Sequence, residues 1–387
     1  MKILNLTLFC LMISFWGISQ EVPQSLSLQE AIDYALKNNR TSKNALRDIE
    51  AAKQQKWETT ASGLPQIKAS IDYNDWLRQQ ISLIPAEFFG GNQGEFAEVA
   101  FGTKKSVNAI ATVNQKIFDG SYLVGLQSAK VFLEISINAK EKTDLEVRKA
   151  VINAYGNVLL AEESVKIFKK NITVLEKNLD ETTKIYENGL GDEESVEQLQ
   201  ITLSGLKSNL SNTDRLKTLA YKMLNITLGV DINSNILMSD NLNSLTSQNI
   251  VLSLLDADET VKNTIDYKIA ENDKVSKELL LKLEKSKALP TINAFLNGGY
   301  SGYSDQFTFL DNSERWFGSS LFGVSMDIPI FSSGMRAAAT NRAKINLEKA
   351  QDDLIESEQT IKLQIESAKS EYKFSIEDYQ NKKDNLG

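Results

Sequence analysis

Histidine is absent from this 387-residue chain, and the only cysteine, Cys10, sits in its first apolar stretch. Once that stretch is removed, no disulfide, Cys or His metal site, thiol nucleophile or imidazole base can be built. Most enzyme classes close on that ground, and carboxylate chemistry alone stays formally open. Proline is scarce: none occurs between Pro85 and Pro290, so nothing in that span forces a helix to kink. After the opening segment no apolar run approaches the ~20 residues of a membrane-spanning helix. A chain of this composition that crosses a membrane must do so by strands. The net charge of -8 argues against nucleic acid as a partner. The 43 basic and 51 acidic residues read as solvated helix faces.

What is present begins with an export signal over residues 1–19. Lys2 supplies the positive end, Ile3 to Trp16 the apolar core, and Gly17-Ile18-Ser19 the small residues before a cut ahead of Gln20. The stretch that organises the rest is Val147 to Leu228, a long helical hairpin. On its first arm Val151, Val158, Val165, Ile172, Leu179 and Tyr186 recur every seventh residue. Val147, Ala154, Ala161, Phe168, Leu175 and Thr182 interleave with them, as in a coiled-coil seam. The return arm carries Val196, Leu199, Leu203, Leu206 and Leu210, then shifts to Leu216, Leu219, Met223 and Ile226 as if changing partners. Between the arms, Gly189 and Gly191 are expected to take positive φ and Asp192 to cap the returning helix.

Ser27 and Glu30 form a capping box at the start of a helix that breaks near Asn38-Asn39 and ends at Leu64-Pro65. Ile67, Ala69, Ile71 and Tyr73 then alternate with polar residues, as in a strand. After a glycine-rich loop, Val107, Ala109, Ala111 and Val113 alternate with Asn108, Thr112 and Asn114. The pattern recurs. An offset of 225 places Leu64-Pro65 on Leu289-Pro290 and Ile67 on Ile292; an offset of 214 places Gly120 on Gly334 and Leu133 on Leu347. We read a tandem duplication: a first repeat over 20–230 (helix, two strands, long hairpin), a polar connector over 231–253, and a second repeat over 254–387. Its strands hold Ile292, Ala294 and Leu296, then Phe322, Val324, Met326, Ile328 and Ile330. The counterpart of Gly189 would fall near residue 403 by that offset, so the second repeat is expected to continue for roughly 55 residues beyond Gly387.

Alternating segments of about 10 to 13 residues suit tilted strands in an outer membrane. Ile67, Ile71, Val113, Leu296, Val324 and Ile328 are expected to face lipid. Lys68, Asp72, Asn108, Asn114, Asn293, Asn297 and Asp327 are expected to line a lumen. Tyr73, Trp76, Tyr300 and Tyr303 at the loop end, with Phe118 and Phe331 at the helix end, suit interfacial girdles. Four strands cannot close a barrel, so chains must pool them: two would give eight strands, three would give twelve and a lumen. The helix from Gly120 to Tyr186 would reach ~100 Å at 1.5 Å per residue. Strands in a membrane with that much helix attached describe a conduit.

Several segments resemble the TolC-type outer-membrane factors of tripartite efflux and type I secretion systems. They are Ser27 to Asn39, Leu64-Pro65 before a strand, Ile117-Phe118-Asp119-Gly120 after one, Tyr186 to Gly191 leading to Leu199-Gln200, and Leu228-Gly229. The resemblance implies a mainly α fold with β: a homotrimer with a twelve-stranded transmembrane barrel and an α-helical coiled-coil tunnel. It implies a passive exit duct in the outer membrane of a Gram-negative bacterium, extending into the periplasm. A periplasmic adaptor would connect it to an inner-membrane pump of the RND, ABC or MFS type. No cofactor, metal or catalysis is implied. Gly189, Leu190 and Gly191 become the expected adaptor-docking tip. Asp192-Glu193-Glu194 and Asp256-Ala257-Asp258-Glu259 read as helix caps, the first with adaptor docking and the second with a metal cluster as the alternative. The rival reading is an exported coiled-coil scaffold or adhesin without a pore.

Overall fold

The computed structural model describes residues 24–242, 244–245, 253, 255 and 260–385. The expected export signal and the acidic run Asp256 to Glu259 lie outside them. The chain forms two compact units, each assembled from both halves of the sequence. One takes the described residues of Met1–Glu50, Ser136–Lys268 and Glu358–Gly387; the other takes Ala51–Ile135 and Ile269–Ser357.

In the first unit, α1 (Leu28–Asn38) starts at the Ser27 capping box: Glu30 N–H donates to Ser27 Oγ, and Ser27 N–H donates to the Glu30 carboxylate. The bonds that the Ser27 N–H and hydroxyl donate to the Glu30 carboxylate hold it below its ordinary range. Asn39 ends α1 in extended backbone, and its Oδ1 accepts from the N–H groups of Thr41 and Ser42 at the start of α2 (Arg40–Ala61). The expected break is therefore a side chain capping the next helix.

The hairpin arms are α3 (Gly120–Glu187) and α4 (Glu193–Leu228). Val151, Val158, Val165 and Ile172 are buried on the first arm, as are Val196 and Leu203 on the second. Lys207 pairs with Glu176 at 2.8 Å between the arms, and Tyr221 donates to Glu162 at 2.7 Å. On α3 burial fades toward the turn, where Tyr186 is exposed, and Leu216, Leu219, Met223 and Ile226 form an uncovered stripe on α4. The core of this unit joins Ala31, Ile32 and Ala35 of α1 to Val151 and Val158 of α3 and to Leu224 and Leu228 of α4. Each large aliphatic side chain buried there contributes about 1.5–3 kcal/mol.

The connector belongs to this core as well, which corrects its reading as a mere link. Ile236 is fully buried, and β1 (Ser25–Leu26) pairs in parallel with β6 (Leu237–Met238). Asp240 accepts from Leu28 N–H at 2.7 Å and from the buried Tyr155 hydroxyl at 3.0 Å. The Asp240 side chain thus fastens the connector to the start of α1.

The second unit contains a four-stranded antiparallel sheet in the order β2-β5-β7-β8. The strands are β2 (Gln66–Asp75), β5 (Lys105–Asp119), β7 (Thr291–Ser304) and β8 (Trp316–Asp327). Ahead of β2, Leu64 N–H bonds to Ala61 O, and ahead of β7, Leu289 N–H bonds to Ser286 O. The two Leu-Pro segments therefore make the same turn after α2 and after α5 (Ile265–Ser286). A separate hairpin of β3 (Ile81–Pro85) and β4 (Phe96–Ala100) occupies what the sequence suggested was loop. The last helix, α6, spans Met335–Asp384.

Candidate functional site

Residues directly opposite in an antiparallel pair share a face, so the register tests the two expected sets. Ile67 lies opposite Val113, which lies opposite Leu296; Ile71 lies opposite Ala109, and Val324 opposite Ala294. All five expected apolar residues within the strands fall on one face. Asp72 lies opposite Asn108, and Gln66 opposite Asn114. Asn293 lies opposite Lys116, Asn297 and Lys68 both opposite Thr112, and Asp327 opposite Thr291. Those seven polar residues share the other face, where Ser301 Oγ donates to Asn108 Oδ1 at 2.8 Å.

Ile328 is corrected: β8 ends at Asp327. The reason is Pro329, which has no N–H for a ladder. The carbonyls of Pro329 and Ile330 accept instead from the Arg336 guanidinium, at 2.7 and 3.2 Å. At the same end of β5, a bulge between Lys116 and Phe118 skips Ile117. The extra residue turns Phe118 onto the apolar face, opposite Ile292.

The apolar face is uncovered within the chain. Ile67, Ile71 and Phe322 are 73%, 76% and 69% exposed. At its loop end, Phe309 is buried against the rings of Tyr73, Phe307 and Trp316. Tyr303 departs from the girdle expectation: it lies opposite Ser106 on the polar face, its ring 6.0 Å from that of Phe317. The sequence reading also missed the apolar residues of the polar face, Ile110, Phe295, Phe317 and Leu321. Around β8 both strand parities are apolar, so alternation alone did not separate them.

At the far end of the hairpin, Gly189 has φ of 72°, and Leu190 N–H reaches back to Ile185 O. This bond and the one from Gly189 N–H to Tyr186 O form a Schellman cap, for which glycine is the favoured residue. Gly191 is corrected: its φ is not positive, and a side chain there would meet Ile185. Leu190 is 82% exposed. Asp192 caps α4 by accepting from Ser195 N–H at 2.7 Å, which holds its carboxyl below the usual range. Among the described residues there is no group of three or more acidic residues that could hold a metal. No described helix is long and apolar enough to cross a membrane.

A family model described as outer membrane efflux protein matches residues 31–230. The chain belongs to the outer membrane efflux protein family. Solved structures of similar fold include CusC, with a TM-score of 0.69 and 17% identity over 96% of this chain and 82% of that one. The MtrE outer membrane channel of Neisseria gonorrhoeae, in its open state, gives 0.64 and 17% over 93% and 75%. The CmeC outer membrane channel of Campylobacter jejuni gives 0.61 and 18% over 89% and 73%. This outer membrane efflux protein is a channel of the Gram-negative outer membrane, reaching into the periplasm. It serves as an efflux duct and is a conduit, not an enzyme. The pore-free adhesin reading is set aside.

Proposed function

We propose that three copies pool their sheets into a twelve-stranded barrel, continued by an α-helical tunnel. One observation carries this reading: the sheet has two outer strands, β2 and β8, and its apolar face is uncovered. Unpaired edges are not tolerated in hydrocarbon. Joining β8 of one copy to β2 of the next removes every edge, and three copies leave room for a lumen. In that assembly Ile67, Ile71, Val113, Leu296 and Val324 meet lipid. Lys68, Asp72, Asn108, Asn114, Asn293, Asn297 and Asp327 line the passage.

In this reading the chain is a duplicated unit, with repeats over 20–230 and 254–387, that acts as a passive duct. A periplasmic adaptor docks at Gly189, Leu190 and Gly191 and connects the duct to an inner-membrane pump of the RND, ABC or MFS type. The exposed Leu190 and the acidic Asp192, Glu193 and Glu194 beside it support the docking role, since they offer an apolar contact ringed by charge. The exposed stripe Leu216, Leu219, Met223 and Ile226 on α4 supports helical contacts between copies.

The test uses the scarcity of cysteine. Ser70→Cys on β2 is combined in turn with Ser319→Cys, Leu321→Cys or Gly323→Cys on β8, and membranes are oxidised. At least one pair should give a covalent ladder that stops at three chains. A ladder that stops at two, or dimers that continue to higher multiples, would overturn the trimer.

A further inference from the structure

The polar face of the sheet carries five residues that do not suit a purely aqueous wall. Phe295 and Tyr303 of β7, Phe317 and Leu321 of β8, and Ile110 of β5 share the face of Asp72 and Asn108. The register sets them on consecutive rows. Phe295 lies opposite Gly323, and its ring fills the place where a side chain on Gly323 would stand. One row on is Leu321, opposite Asn297; the next holds Ile110, opposite Gly299; then come Phe317, opposite Ser301, and Tyr303. Together they make a zigzag ribbon over β5, β7 and β8. The β2 side of the same face, from Gln66 to Asn74, is wholly polar.

The ribbon is open: Leu321 is 58% and Phe317 46% exposed. Exposed apolar residues in a row on an otherwise polar face indicate contact with apolar matter. Charges of both signs share its rows, with Lys68 on that of Leu321 and Asp72 on that of Phe317. Phe317 already receives a cation on its ring, the Arg315 guanidinium at 5.0 Å.

We propose that this ribbon is a binding track for small amphiphiles, molecules with an aromatic or aliphatic body and a charged head. The body lies along Phe295, Leu321, Ile110 and Phe317, and the head turns to the polar wall of Lys68 and Asp72. The inference rests on the reading that this face lines the lumen. A track of this kind favours such molecules over hydrated metal ions and wholly polar solutes, because only they gain from leaving water at the ribbon.

The test uses the full chain in lipid nanodiscs, with benzyltrimethylammonium as probe and tetramethylammonium as the equally charged control. Saturation-transfer NMR, with empty discs subtracted, should show binding of the benzyl probe only. Leu321→Asn combined with Phe317→Asn should weaken it at least five-fold while strand content and oligomer size stay unchanged. Equal binding of the two cations, or unchanged binding in the variant, would overturn the track. A separate labelling experiment keeps the lumen reading apart. Leu321→Cys should react with a charged, membrane-impermeant thiol reagent and Phe322→Cys should not. The reverse pattern overturns the face assignment and the track together; the expected pattern with unchanged probe binding overturns the track alone.

Discussion

Gly229 packs directly on the backbone of Asn38: a β-carbon built on it would stand 2.3 Å from the Asn38 carbonyl oxygen. The same glycine has φ of 82° and closes α4, with Val230 N–H returning to Asn225 O. Beside it, Asn39 Nδ2 donates to Thr227 O at 2.7 Å. The end of the hairpin and the break between α1 and α2 are thus one joint. Gly229→Ala meets two penalties, the left-handed backbone and the clash. We expect a loss of about 1–3 kcal/mol from the backbone strain alone. Thermal unfolding and protease sensitivity of the purified protein check it; Gly205→Ala, at a helical site with open space around it, should instead stabilise by about 0.5–1 kcal/mol.

Tyr155 is fully buried, and its hydroxyl meets Leu26 O and the Asp240 carboxylate, each at 3.0 Å. Burial pushes its pKa up, and the Asp240 charge adds to the rise; Tyr221 is raised by burial and by Glu162. A raised tyrosine pKa means that above about pH 10 the unfolded chain loses protons that the folded chain keeps. Stability should therefore be intact below pH 10 and fall as pH rises beyond it. Tyr155→Phe should cost about 1–3 kcal/mol at neutral pH, by leaving buried acceptors short of a donor. It should also flatten the alkaline decline. Denaturant melts at pH 7 and pH 11 read both effects, and an unchanged alkaline slope would count against the tyrosine.

The seam residues Val151, Val158 and Val165 were legible because a seven-residue period survives any local irregularity. Strand faces were legible in β2, where Ile67 and Ile71 stand against Lys68 and Asp72, and they failed where both parities are apolar, as at Phe317 and Leu321. Ile328 was misread because apolar alternation runs on through Pro329, while the missing N–H stops the ladder. The Tyr155–Asp240 contact could not be read, since it joins residues 85 apart through hydrogen bonds of a single hydroxyl. Gly189 and Gly191 looked alike in sequence, yet only the first takes the left-handed position.

The tip prediction follows from that difference. A β-branched residue at φ of 72° is strained, so Gly189→Val should disturb the cap that aims Leu190 outward. Export should fall while membrane insertion and oligomer size remain normal. Leu190→Asp keeps the backbone and removes the apolar contact, and it should impair export similarly. Full export in both variants would exclude the tip as the docking surface.

The two faces of the sheet give the last test. Arginine at Ile71 or Val324 would sit among hydrocarbon and should cost about 2–4 kcal/mol near the bilayer midplane. The measurable result is a marked drop in assembled protein in outer-membrane fractions. Arginine at Asn114, exposed on the opposite face of β5, should insert and assemble at the original level. The comparison is internal, because Val113 and Asn114 are adjacent residues of one strand with opposite assignments. Val113→Arg and Asn114→Arg therefore share local propensity, edge distance and depth, and differ only in the side of the sheet. If the two accumulate equally, the apolar face does not meet lipid. If Asn114→Arg is the worse of the two, the barrel is inside out with respect to the register described above.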